Sequence, residues 1–409
     1  MIKAQRGTKD ILPESILTWQ KIEKTARELF QEANYKEIRT PIFEATELFC
    51  RGVGDSTDIV NKEMYTFSVG GQNKDESSIT LRPENTAGVV RAFIEHGFSR
   101  QSAPVKFWYF GPMFRYERPQ KGRQRQFHQI GVEMFGIENP SADAEVIALV
   151  SKFLSKMGIK DLVAEINSLG CIKCRDEYKA RIKEVLKPYL DKLCDDCRVR
   201  YEKNPLRMLD CKNEGCAEIF EQDEIKKVIL ADFICEECRE HYETVKKYLG
   251  TLGIKYKENK MLVRGLDYYN RTVFEIKSDA LGSQSAVAGG GRYDGLVEML
   301  GGEKTPAVGF ALGVERLYEL VAHMEEEKLD YFVVSNLQDK AMETVQYLRD
   351  QDKSCDFDFQ NRKFGKQLEK AGKTAKAAVI IGEDELQGGY YTVKNLETGE
   401  QKKVQKTDL

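Results

Sequence analysis

Residues 114–136 have the sequence FRYERPQKGRQRQFHQIGVEMFG, and this stretch says more about the fold than any other part of the chain. Apolar and polar residues alternate at both of its ends, and the polar segment between them contains Pro119 and Gly122. Two alternating runs joined by such a segment are typical of a β-hairpin, here one with a long, charged tip. The stretch therefore predicts two neighbouring antiparallel strands.

The tip of this predicted hairpin is strongly basic. Residues 115–126 hold one acid, Glu117, and five basic side chains: Arg115, Arg118, Lys121, Arg123 and Arg125. A solvated loop is the simplest interpretation of such a tip. An arginine fixed on a strand, however, presents a planar fork of donors that fits phosphate. An aromatic neighbour such as Phe127 can stack on a base. We therefore predict a nucleotide site on an antiparallel sheet.

The composition is that of a globular protein with two or three domains. The chain has 409 residues, of which 41% are hydrophobic and 32% charged, with a net charge of −3. This net charge argues against indiscriminate coating of nucleic acid but allows binding through local patches. A signal-like segment and any run of about 18 apolar residues are absent. We expect a cytoplasmic protein with no membrane segment, whose ten cysteines are reduced thiols or metal ligands.

The first part of the chain predicts a helix and two strand segments. Residues 15–33 space their apolar side chains along one helical face, and the following strand is interrupted at Pro41. Residues 79–82 predict a strand before a helix that begins near Asn85 or Thr86. Glu84 lies at this junction, where the helix dipole favours a carboxylate. It either caps the helix or faces a cationic amine.

Eight of the ten cysteines lie within residues 171–238 as four pairs: Cys171 and Cys174, Cys194 and Cys197, Cys211 and Cys216, and Cys235 and Cys238. The first two pairs stand 19 residues apart, close to the spacing at which two such pairs share one tetrahedral zinc ion. Four pairs supply ligands for up to two structural zinc sites, which would be closed and non-catalytic. Alternatively, these cysteines are small hydrophobic residues of a helical insertion.

Residues 261–278, MLVRGLDYYNRTVFEIKS, predict a strand that ends at Arg264, a turn, and a second strand. Tyr268 and Tyr269 lie at this turn together with Arg264. The turn is also consistent with an ordinary hairpin that carries surface tyrosines.

The glycine run of residues 286–296, AVAGGGRYDGL, permits close approach of the backbone. It fits neither the GxGxxG fingerprint nor the GxxxxGK[ST] phosphate loop, which argues against the common parallel-sheet nucleotide folds. Residues 307–320 predict a strand that runs into a helix, with Arg316 early in that helix.

From about residue 330 the pattern changes to alternating strands and helices, which predicts a β-α-β-α-β domain of about 80 residues. Within it, residues 361–376 contain six basic residues and one acid, a net charge of +5. This segment is either a solvated helix face or a contact for a phosphate backbone.

Taken together, these motifs resemble the histidyl-tRNA synthetases, which are class II aminoacyl-tRNA synthetases. The N-terminal string QRGTKD at residues 5–10 resembles the signature of the bacterial type, and the helix and strand that end near Pro41 resemble motif 1, a dimer element. Residues 114–136 resemble motif 2, and residues 309–317, GFALGVERL, resemble motif 3. The resemblance covers nearly the whole chain.

The most discriminating string is LVRGLDYYNRTVFE at residues 262–275, which is similar to a histidine-specific motif. One position departs from the family pattern, because Asn85 follows Glu84 where glycine is common. Asparagine tolerates the conformations of turns and helix starts, so we expect the local geometry to survive.

The resemblance implies an α+β fold with a class II antiparallel catalytic sheet flanked by helices. It implies a catalytic domain at residues 1–325, with a Cys-rich helical insertion at about 171–255, and an α/β anticodon-binding domain at 330–409. The implied reaction joins L-histidine and ATP, with Mg²⁺, into histidyl-adenylate and then transfers the histidyl group to the tRNA for histidine. A homodimer is also implied.

The resemblance also implies roles for individual residues. Arg115 would contact the α-phosphate and the substrate carboxylate, and Arg264 would be the catalytic cation. The other ATP-binding residues implied are Glu117, Arg123, Phe127 and Arg316. The implied histidine pocket contains Arg115 and Arg264 together with Glu84, Asn85, Thr86, Gln129, Glu133, Tyr268 and Tyr269.

One competing function belongs to another class. The regulatory subunit of ATP phosphoribosyltransferase is a synthetase-like protein that binds histidine without aminoacylation. Such a protein is expected to lack the anticodon domain and the ATP-binding arginines, and the sequence predicts both here. Class I synthetases are disfavoured because the chain contains neither a HIGH nor a KMSKS string.

Overall fold

The hairpin predicted at residues 114–136 lies inside a large antiparallel sheet in the computed structural model of the chain. The structure describes residues 1–54, 57–69, 77–120, 122–211, 213–229, 232–278, 286–325 and 327–409. Lys121 of the basic tip lies outside the described residues. Contacts divide the chain into two compact units, Met1–Met324 and Glu325–Leu409.

The first unit combines two sheets with a set of helices. Its strands are β1 (Lys36–Glu37), β2 (Phe43–Ala45), β3 (Tyr65–Val69), β4 (Ser77–Leu81), β5 (Val105–Phe114), β6 (Gln126–Phe135), β7 (Leu162–Ser168), β8 (Tyr256–Glu258), β9 (Asn270–Ser278), β10 (Ala286–Arg292) and β11 (Ala307–Gly313). Its α-helices are α1 (Pro13–Glu32), α2 (Thr46–Val53), α3 (Thr86–Glu95), α4 (Ser141–Lys156), α5 (Ile172–Leu186), α6 (Asp195–Lys203), α7 (Glu214–Phe220), α8 (Asp223–Ile229), α9 (Glu236–Thr251), α10 (Leu296–Met299) and α11 (Val314–Tyr318).

The main sheet has eight strands in the order β1-β5-β6-β11-β10-β9-β7-β8. Its six inner strands pair antiparallel, and the short edge strands β1 and β8 pair parallel with their neighbours. The antiparallel catalytic sheet expected from the sequence is thereby confirmed. A separate sheet of three strands has the order β2-β4-β3.

The alternation of side chains along β6 separates the core from the opposite face of the sheet. Ile130, Val132 and Met134 pack into a core with helices α1 and α4. Gln129 and Glu133 alternate with them and therefore point to the other face, where the second hydrophobic cluster of this unit lies. The alternation of side chains along β6 thus places apolar residues in the core and polar residues on the opposite face of the sheet.

The predicted strand ending at Arg264 is wrong. After β8 the chain is irregular up to residue 269. Side chains, not a neighbouring strand, satisfy its carbonyl groups: Asn167 Nδ2 donates to Leu262 O at 2.9 Å, and Arg207 Nη1 donates to Arg264 O at 2.9 Å. We call residues 264–269 the Arg264 loop.

The second unit forms a five-stranded sheet with helices, which matches the alternation predicted for this part of the chain. Its elements are β12 (Leu329–Ser335), α12 (Gln338–Arg349), β13 (Cys355–Phe357), α13 (Phe364–Thr374), β14 (Ala375–Ile381), α14 (Glu383–Gly388), β15 (Tyr391–Asn395) and β16 (Gln401–Val404). The strand order is β13-β12-β14-β15-β16. Across the described ranges, no helix has both the length and the apolar content that a membrane crossing requires.

The glycine run of β10 allows the close packing of the main sheet. A Cβ atom on Gly290 would lie 2.1 Å from the carbonyl oxygen of Gly309 on β11 and 2.8 Å from the ring of Phe274 on β9. Gly295, by contrast, has nothing within 4 Å of its Cβ position.

We predict that Gly290→Ala destabilises the first unit by about 1–3 kcal/mol or more, since the new methyl group would push backbone apart in a packed core. Urea unfolding of the purified protein measures this loss. Gly295→Ala is the matched control and should remain close to wild type. Equal stability of the two variants would contradict the packing argument.

Candidate active site

A cleft of about 320 Å³ opens on the face of the main sheet opposite helices α1 and α4. We call it the central cleft. Its volume lies at the lower end of the range for small-molecule sites. It is lined by seven of the residues predicted for the site: Arg115, Glu117, Arg123, Phe127, Gln129, Arg264 and Arg316.

Arg115 is held at the mouth of the hairpin. It directly follows β5, and its backbone N–H donates to Arg125 O at 2.8 Å. Its Nε donates to Pro83 O at 2.8 Å, and its guanidinium lies 5.2 Å from the centroid of the Phe127 ring. These contacts fix the guanidinium at the cleft, although Arg115 lies one residue beyond the end of β5 and not within the strand.

Glu117 lies between two arginines of the hairpin tip. Its carboxylate oxygens are 3.6 Å from Arg115 Nη1 and 3.6 Å from Arg123 Nη1. Arg316, at the start of α11, lines the same cleft, and burial together with the charge of Arg123 lowers its pKa. Three cationic side chains therefore converge on one small volume.

Arg264 lies flat against the main chain of β10. A Cβ atom on Gly289 would be 2.3 Å from Arg264 Nη2, so a residue larger than glycine would displace the guanidinium. Arg264 Nη1 donates to Glu275 Oε1 on β9, and Glu275 pairs in register with Gly289. Arg264 Nε is buried and has no acceptor among the described residues.

A second group of side chains forms a buried hydrogen-bonded network on the same face of the sheet. It contains Glu84, Thr86, Tyr109, Glu133, Tyr268, Tyr269 and Tyr293, which we call the buried network. Thr86 Oγ1 donates to Glu133 Oε1 at 2.8 Å, and Tyr109 Oη approaches the same oxygen at 3.3 Å. Tyr293 Oη donates to Glu133 Oε2. Burial raises the pKa of Glu133 to about 8, so this carboxyl is mostly neutral at pH 7.

Glu84 caps the N-terminus of helix α3. Its two carboxylate oxygens accept hydrogen bonds from the backbone N–H groups of Thr86, at 2.7 Å, and Ala87, at 2.9 Å. Burial raises the pKa of Glu84, while the two N–H groups and the charge of Arg115 oppose the shift. The helix-capping alternative for Glu84 is therefore observed directly.

Asn85 does not join this group. Its Oδ1 accepts hydrogen bonds from Thr40 Oγ1 at 2.6 Å and from Arg82 Nη1 at 3.3 Å. Those partners hold the side chain toward the segment before β2, and Asn85 is absent from the described lining of the central cleft. The side chain of Asn85 thus forms hydrogen bonds with Thr40 and Arg82 outside the buried network.

The two adjacent tyrosines of the Arg264 loop lie inside the buried network. The rings of Tyr268 and Tyr269 are 4.6 Å apart, and the ring of Tyr268 is 5.5 Å from that of Tyr293. Burial raises the pKa of Tyr269 to about 12, so its phenol stays neutral and can donate a hydrogen bond.

Gln129 links the central cleft to the buried network. It lines the cleft, and it lies on the same face of β6 as Glu133. Its Oε1 is buried and finds no hydrogen-bond donor in the described part of the chain. A buried amide oxygen without a donor is costly to retain, which indicates that this oxygen meets a ligand.

Three residues of the site were not singled out from the sequence. Glu275 lies in the quoted string of residues 262–275, which was the available signal. Tyr293 follows the glycine run of β10. Tyr109 had no signal of its own, although it pairs with Gly131, where a Cβ atom would lie 2.3 Å from the tyrosine ring.

The eight cysteines of the insertion form two groups. The outer cluster combines the first and fourth pairs, Cys171, Cys174, Cys235 and Cys238, and the inner cluster combines the second and third pairs, Cys194, Cys197, Cys211 and Cys216. In each cluster the Sγ atoms all lie within 4.8 Å of one another. The predicted sharing of one site by the first two pairs is wrong, because the N-terminal ends of helices α5 and α9 bring the first and fourth pairs together, while the second and third pairs combine with each other.

The geometry of both clusters fits zinc. Cys171 Sγ and Cys174 Sγ are 3.6 Å apart, and Cys194 Sγ and Cys211 Sγ are 3.8 Å apart. A tetrahedral zinc ion with Zn–S bonds of about 2.3 Å requires sulfur atoms about 3.8 Å apart. Backbone N–H groups also approach the sulfur atoms, as from Cys235 N to Cys174 Sγ at 3.1 Å.

Comparison with known proteins places this site in a family. The family model described as histidyl-tRNA synthetase matches residues 7–317. The chain belongs to the histidyl-tRNA synthetase family. A second model, described as an anticodon binding domain, matches residues 323–409. Both ends of the chain therefore have counterparts in this family of class II aminoacyl-tRNA synthetases.

Individual relatives agree over the full length. The histidine–tRNA ligase of Halothermothrix orenii is 49% identical over 417 residues, which cover 100% of this chain and 98% of the relative. That of Acetivibrio thermocellus is 47% identical, covering 99% and 97%. The crystal structure of apo histidyl-tRNA synthetase from S. aureus superposes with a TM-score of 0.79 at 40% identity, covering 99% of this chain and 97% of that one.

The function follows from these relatives. As a member of the histidyl-tRNA synthetase family, the protein attaches L-histidine to its tRNA with ATP as a substrate, through a histidyl-adenylate. An ATP phosphoribosyltransferase regulatory subunit/histidyl-tRNA synthetase from Bacillus halodurans also superposes, with a TM-score of 0.64. Its 22% identity shows a shared fold alone, so the regulatory alternative has less support.

The buried carboxyl of Glu133 generates a prediction about stability. The native Glu133 carboxyl has a pKa of about 8, whereas a carboxyl in an unfolded chain has a pKa of about 4.3. Between these values the unfolded state binds fewer protons than the native state, so this group lowers the stability as the pH rises. Glu133→Gln removes that contribution.

We expect the unfolding midpoint of Glu133→Gln, relative to wild type, to increase between pH 5 and pH 8 by at least about 2–4 °C, the equivalent of about 1 kcal/mol. Thermal unfolding followed by circular dichroism measures the difference. Glu298→Gln, which removes an exposed carboxyl, is the control. A constant difference between Glu133→Gln and wild type across this range would contradict the burial of an uncharged Glu133.

Proposed function

We propose that histidyl-adenylate forms where the central cleft meets the buried network, with ATP in the cleft and the histidine side chain against the network. The observation that carries this proposal is Gln129, whose buried Oε1 lacks a donor at the junction of the two. On one side of it lie the cationic groups suited to phosphate, and on the other lie neutral acceptors and donors suited to an imidazole.

The cleft residues have complementary tasks toward ATP. Arg115 contacts the α-phosphate and the histidine carboxylate, and Phe127 stacks on the adenine. Glu117 accepts a hydrogen bond from the adenine amino group, and Arg123 and Arg316 hold the outer phosphates. The support for these roles is their common position at the cleft and the match between guanidinium forks and phosphate oxygens.

Arg264 stabilises the transition state of adenylate formation. A carboxylate oxygen of histidine attacks the α-phosphorus, the bond to pyrophosphate breaks, and negative charge grows on the non-bridging oxygens. A guanidinium stays protonated, so it acts through its fixed charge and not as a base. Its contacts with Gly289 and Glu275 hold it in place before the substrates bind, and such preorganisation is the source of electrostatic catalysis. Mg²⁺ would enter with the phosphates of ATP and add to that stabilisation.

The buried network selects histidine. Glu133, Tyr268 and Tyr269 face the imidazole, while Glu84, Thr86 and Gln129 receive the α-ammonium group. The two carboxylate oxygens of Glu84 each keep a further lone pair beside the helix N–H group that they accept. An amino acid without the imidazole N–H groups would leave buried partners unsatisfied, and such sites discriminate by roughly 10⁴-fold or more.

The remaining assignments complete the enzyme. We propose a catalytic domain at residues 1–325 with an insertion at about 171–255, an anticodon-binding domain at 330–409, and structural zinc in both cysteine clusters. A homodimer is supported by exposed apolar side chains near the segment similar to motif 1, namely Ile42, Phe43 and Phe67. The cytoplasmic location stays a prediction.

ATP–pyrophosphate exchange with each of the twenty amino acids, followed by charging of total tRNA, tests the proposed function. We expect exchange and charging with histidine, and at most about 10⁻⁴ of that efficiency with any other amino acid. Exchange with none of the amino acids would refute the adenylate site. Exchange with another one would refute the selective role of the buried network.

Replacement of Arg264 tests the assigned electrostatic role. We predict that Arg264→Ala lowers kcat for exchange by at least about 10²–10³-fold, the effect of removing one preorganised donor from a transition state. Arg264→Lys keeps the charge without the planar fork, and its kcat for exchange should lie between that of wild type and that of Arg264→Ala. Circular dichroism and gel filtration would show whether each variant is folded, and near-normal exchange by a folded Arg264→Ala would contradict the role.

A further inference from the structure

We infer that zinc ions in the outer and inner cysteine clusters hold the Arg264 loop in its active geometry, through Arg175, Asn204 and Arg207. These three act as positioning residues, since they touch the loop and not the substrates. The inference rests on the proposed roles of Arg264, Tyr268 and Tyr269. It adds that the insertion contributes to recognition of histidine by positioning this loop.

The outer cluster is joined to the end of the Arg264 loop. Arg175 follows Cys174 directly, and it donates from Nη1 to Tyr269 O at 2.8 Å and from Nη2 to Asp267 O at 3.2 Å. Its guanidinium therefore donates to the main chain of the segment that carries Tyr268 and Tyr269. A displacement of Cys174 would carry these two donors with it.

The chain before the outer cluster is also paired with Arg271, two residues after the end of this loop. Leu169 N donates to Arg271 O at 2.8 Å, and Arg271 N donates to Gly170 O at 2.9 Å. Gly170 has a φ of +67°, and a Cβ atom there would lie 2.5 Å from Cys174 Cβ. Gly170 therefore packs closely against Cys174 of the outer cluster and is hydrogen-bonded to Arg271 near the start of β9.

The inner cluster is joined to the start of the loop. Asn204 and Arg207 lie between Cys197 and Cys211 of this cluster, and both are largely buried. Asn204 Nδ2 donates to Asp267 Oδ1 at 2.9 Å, and Arg207 Nη1 donates to Arg264 O at 2.9 Å. A side chain of the insertion thus donates to the carbonyl group of Arg264, the proposed catalytic residue.

Local structure alone is insufficient to fix these donors. Helices α6, α7 and α8 have 9, 7 and 7 residues, and helices of this length are marginal without tertiary support. Four thiolates around one ion tie such segments together, because binding of the metal is coupled to folding of its ligands. An all-thiolate zinc site leaves no open coordination position for a substrate, so the ions act by placing the loop.

The first experiment measures metal in the full-length protein, purified without added zinc. We expect two zinc ions per chain by elemental analysis, and one in each of Cys235→Ser and Cys211→Ser. Cys50→Ser and Cys355→Ser, outside both clusters, should retain two. Exchange of wild-type zinc for cobalt should give the absorption of tetrahedral cobalt thiolates, which tests the sites even where a cysteine variant fails to fold. Wild-type protein without zinc that also gives no such absorption would overturn the metal sites.

The second experiment separates the positioning role from simple folding. Arg207→Met should retain two zinc ions and a cooperative unfolding transition, with a midpoint lowered by at most the few degrees that one lost hydrogen bond costs. Its kcat/KM for histidine in pyrophosphate exchange should fall by about tenfold, the effect of one lost hydrogen bond of about 1.4 kcal/mol. Its KM for ATP should change little. Arg207→Lys, which keeps a donor and a charge, should recover part of the loss.

The outcomes separate the inference from the proposed function. Normal histidine kinetics in a zinc-replete Arg207→Met would overturn the positioning role while leaving the function intact. Failure of the zinc-replete wild type to exchange with histidine would refute the proposed function first. A loss of kcat/KM in Arg207→Met with recovery in Arg207→Lys and full zinc content in both would support the inference.

Discussion

The contact between the guanidinium of Arg264 and the bare main chain of Gly289 is the constraint on which the rest of the site depends. The close approach needs glycine on β10, because any Cβ atom would lie 2.3 Å from Nη2. It also needs Glu275 on the neighbouring strand to accept from Nη1. With both in place, the protein carries a fixed positive charge into the cleft before any phosphate arrives. Strands β9 and β10 therefore hold the Arg264 guanidinium in one position.

The same sheet supports a second, electrically different site. Along β6 the residues Ile130, Val132 and Met134 enter the core beneath α1 and α4, while Gln129 and Glu133 occupy the other face. Glu133 is surrounded by hydroxyl groups, and burial raises its pKa to about 8. A neutral acid among neutral phenols suits a heterocycle that exchanges hydrogen bonds, whereas the arginines nearby suit a polyanion. The two environments meet on one face of β6, where Gln129 borders the arginines and Glu133 lies among the hydroxyl groups.

The parts that the sequence predicted are those with a local period. Alternation at residues 114–136 predicted the hairpin, although its first strand, β5, already ends at Phe114, where this stretch begins. The apolar spacing at residues 15–33 predicted α1, observed at Pro13–Glu32. Contacts between distant residues escaped prediction. The first and fourth cysteine pairs combine across the 60 residues that separate Cys174 from Cys235, so their spacing along the chain does not indicate the pairing. The strand expected up to Arg264 is absent because Asn167 and Arg207 take the carbonyl groups that a ladder would use.

That absence explains why the site needs the insertion. A strand would have satisfied the backbone of the Arg264 loop but would also have turned successive side chains to opposite faces. Arg264, Tyr268 and Tyr269 all reach one face, so the loop must leave the ladder, and its carbonyl groups need other donors. Arg175 and Arg207 supply two of them from segments bounded by cysteines. On the proposed roles of Arg264, Tyr268 and Tyr269, recognition of histidine therefore depends on order within the insertion.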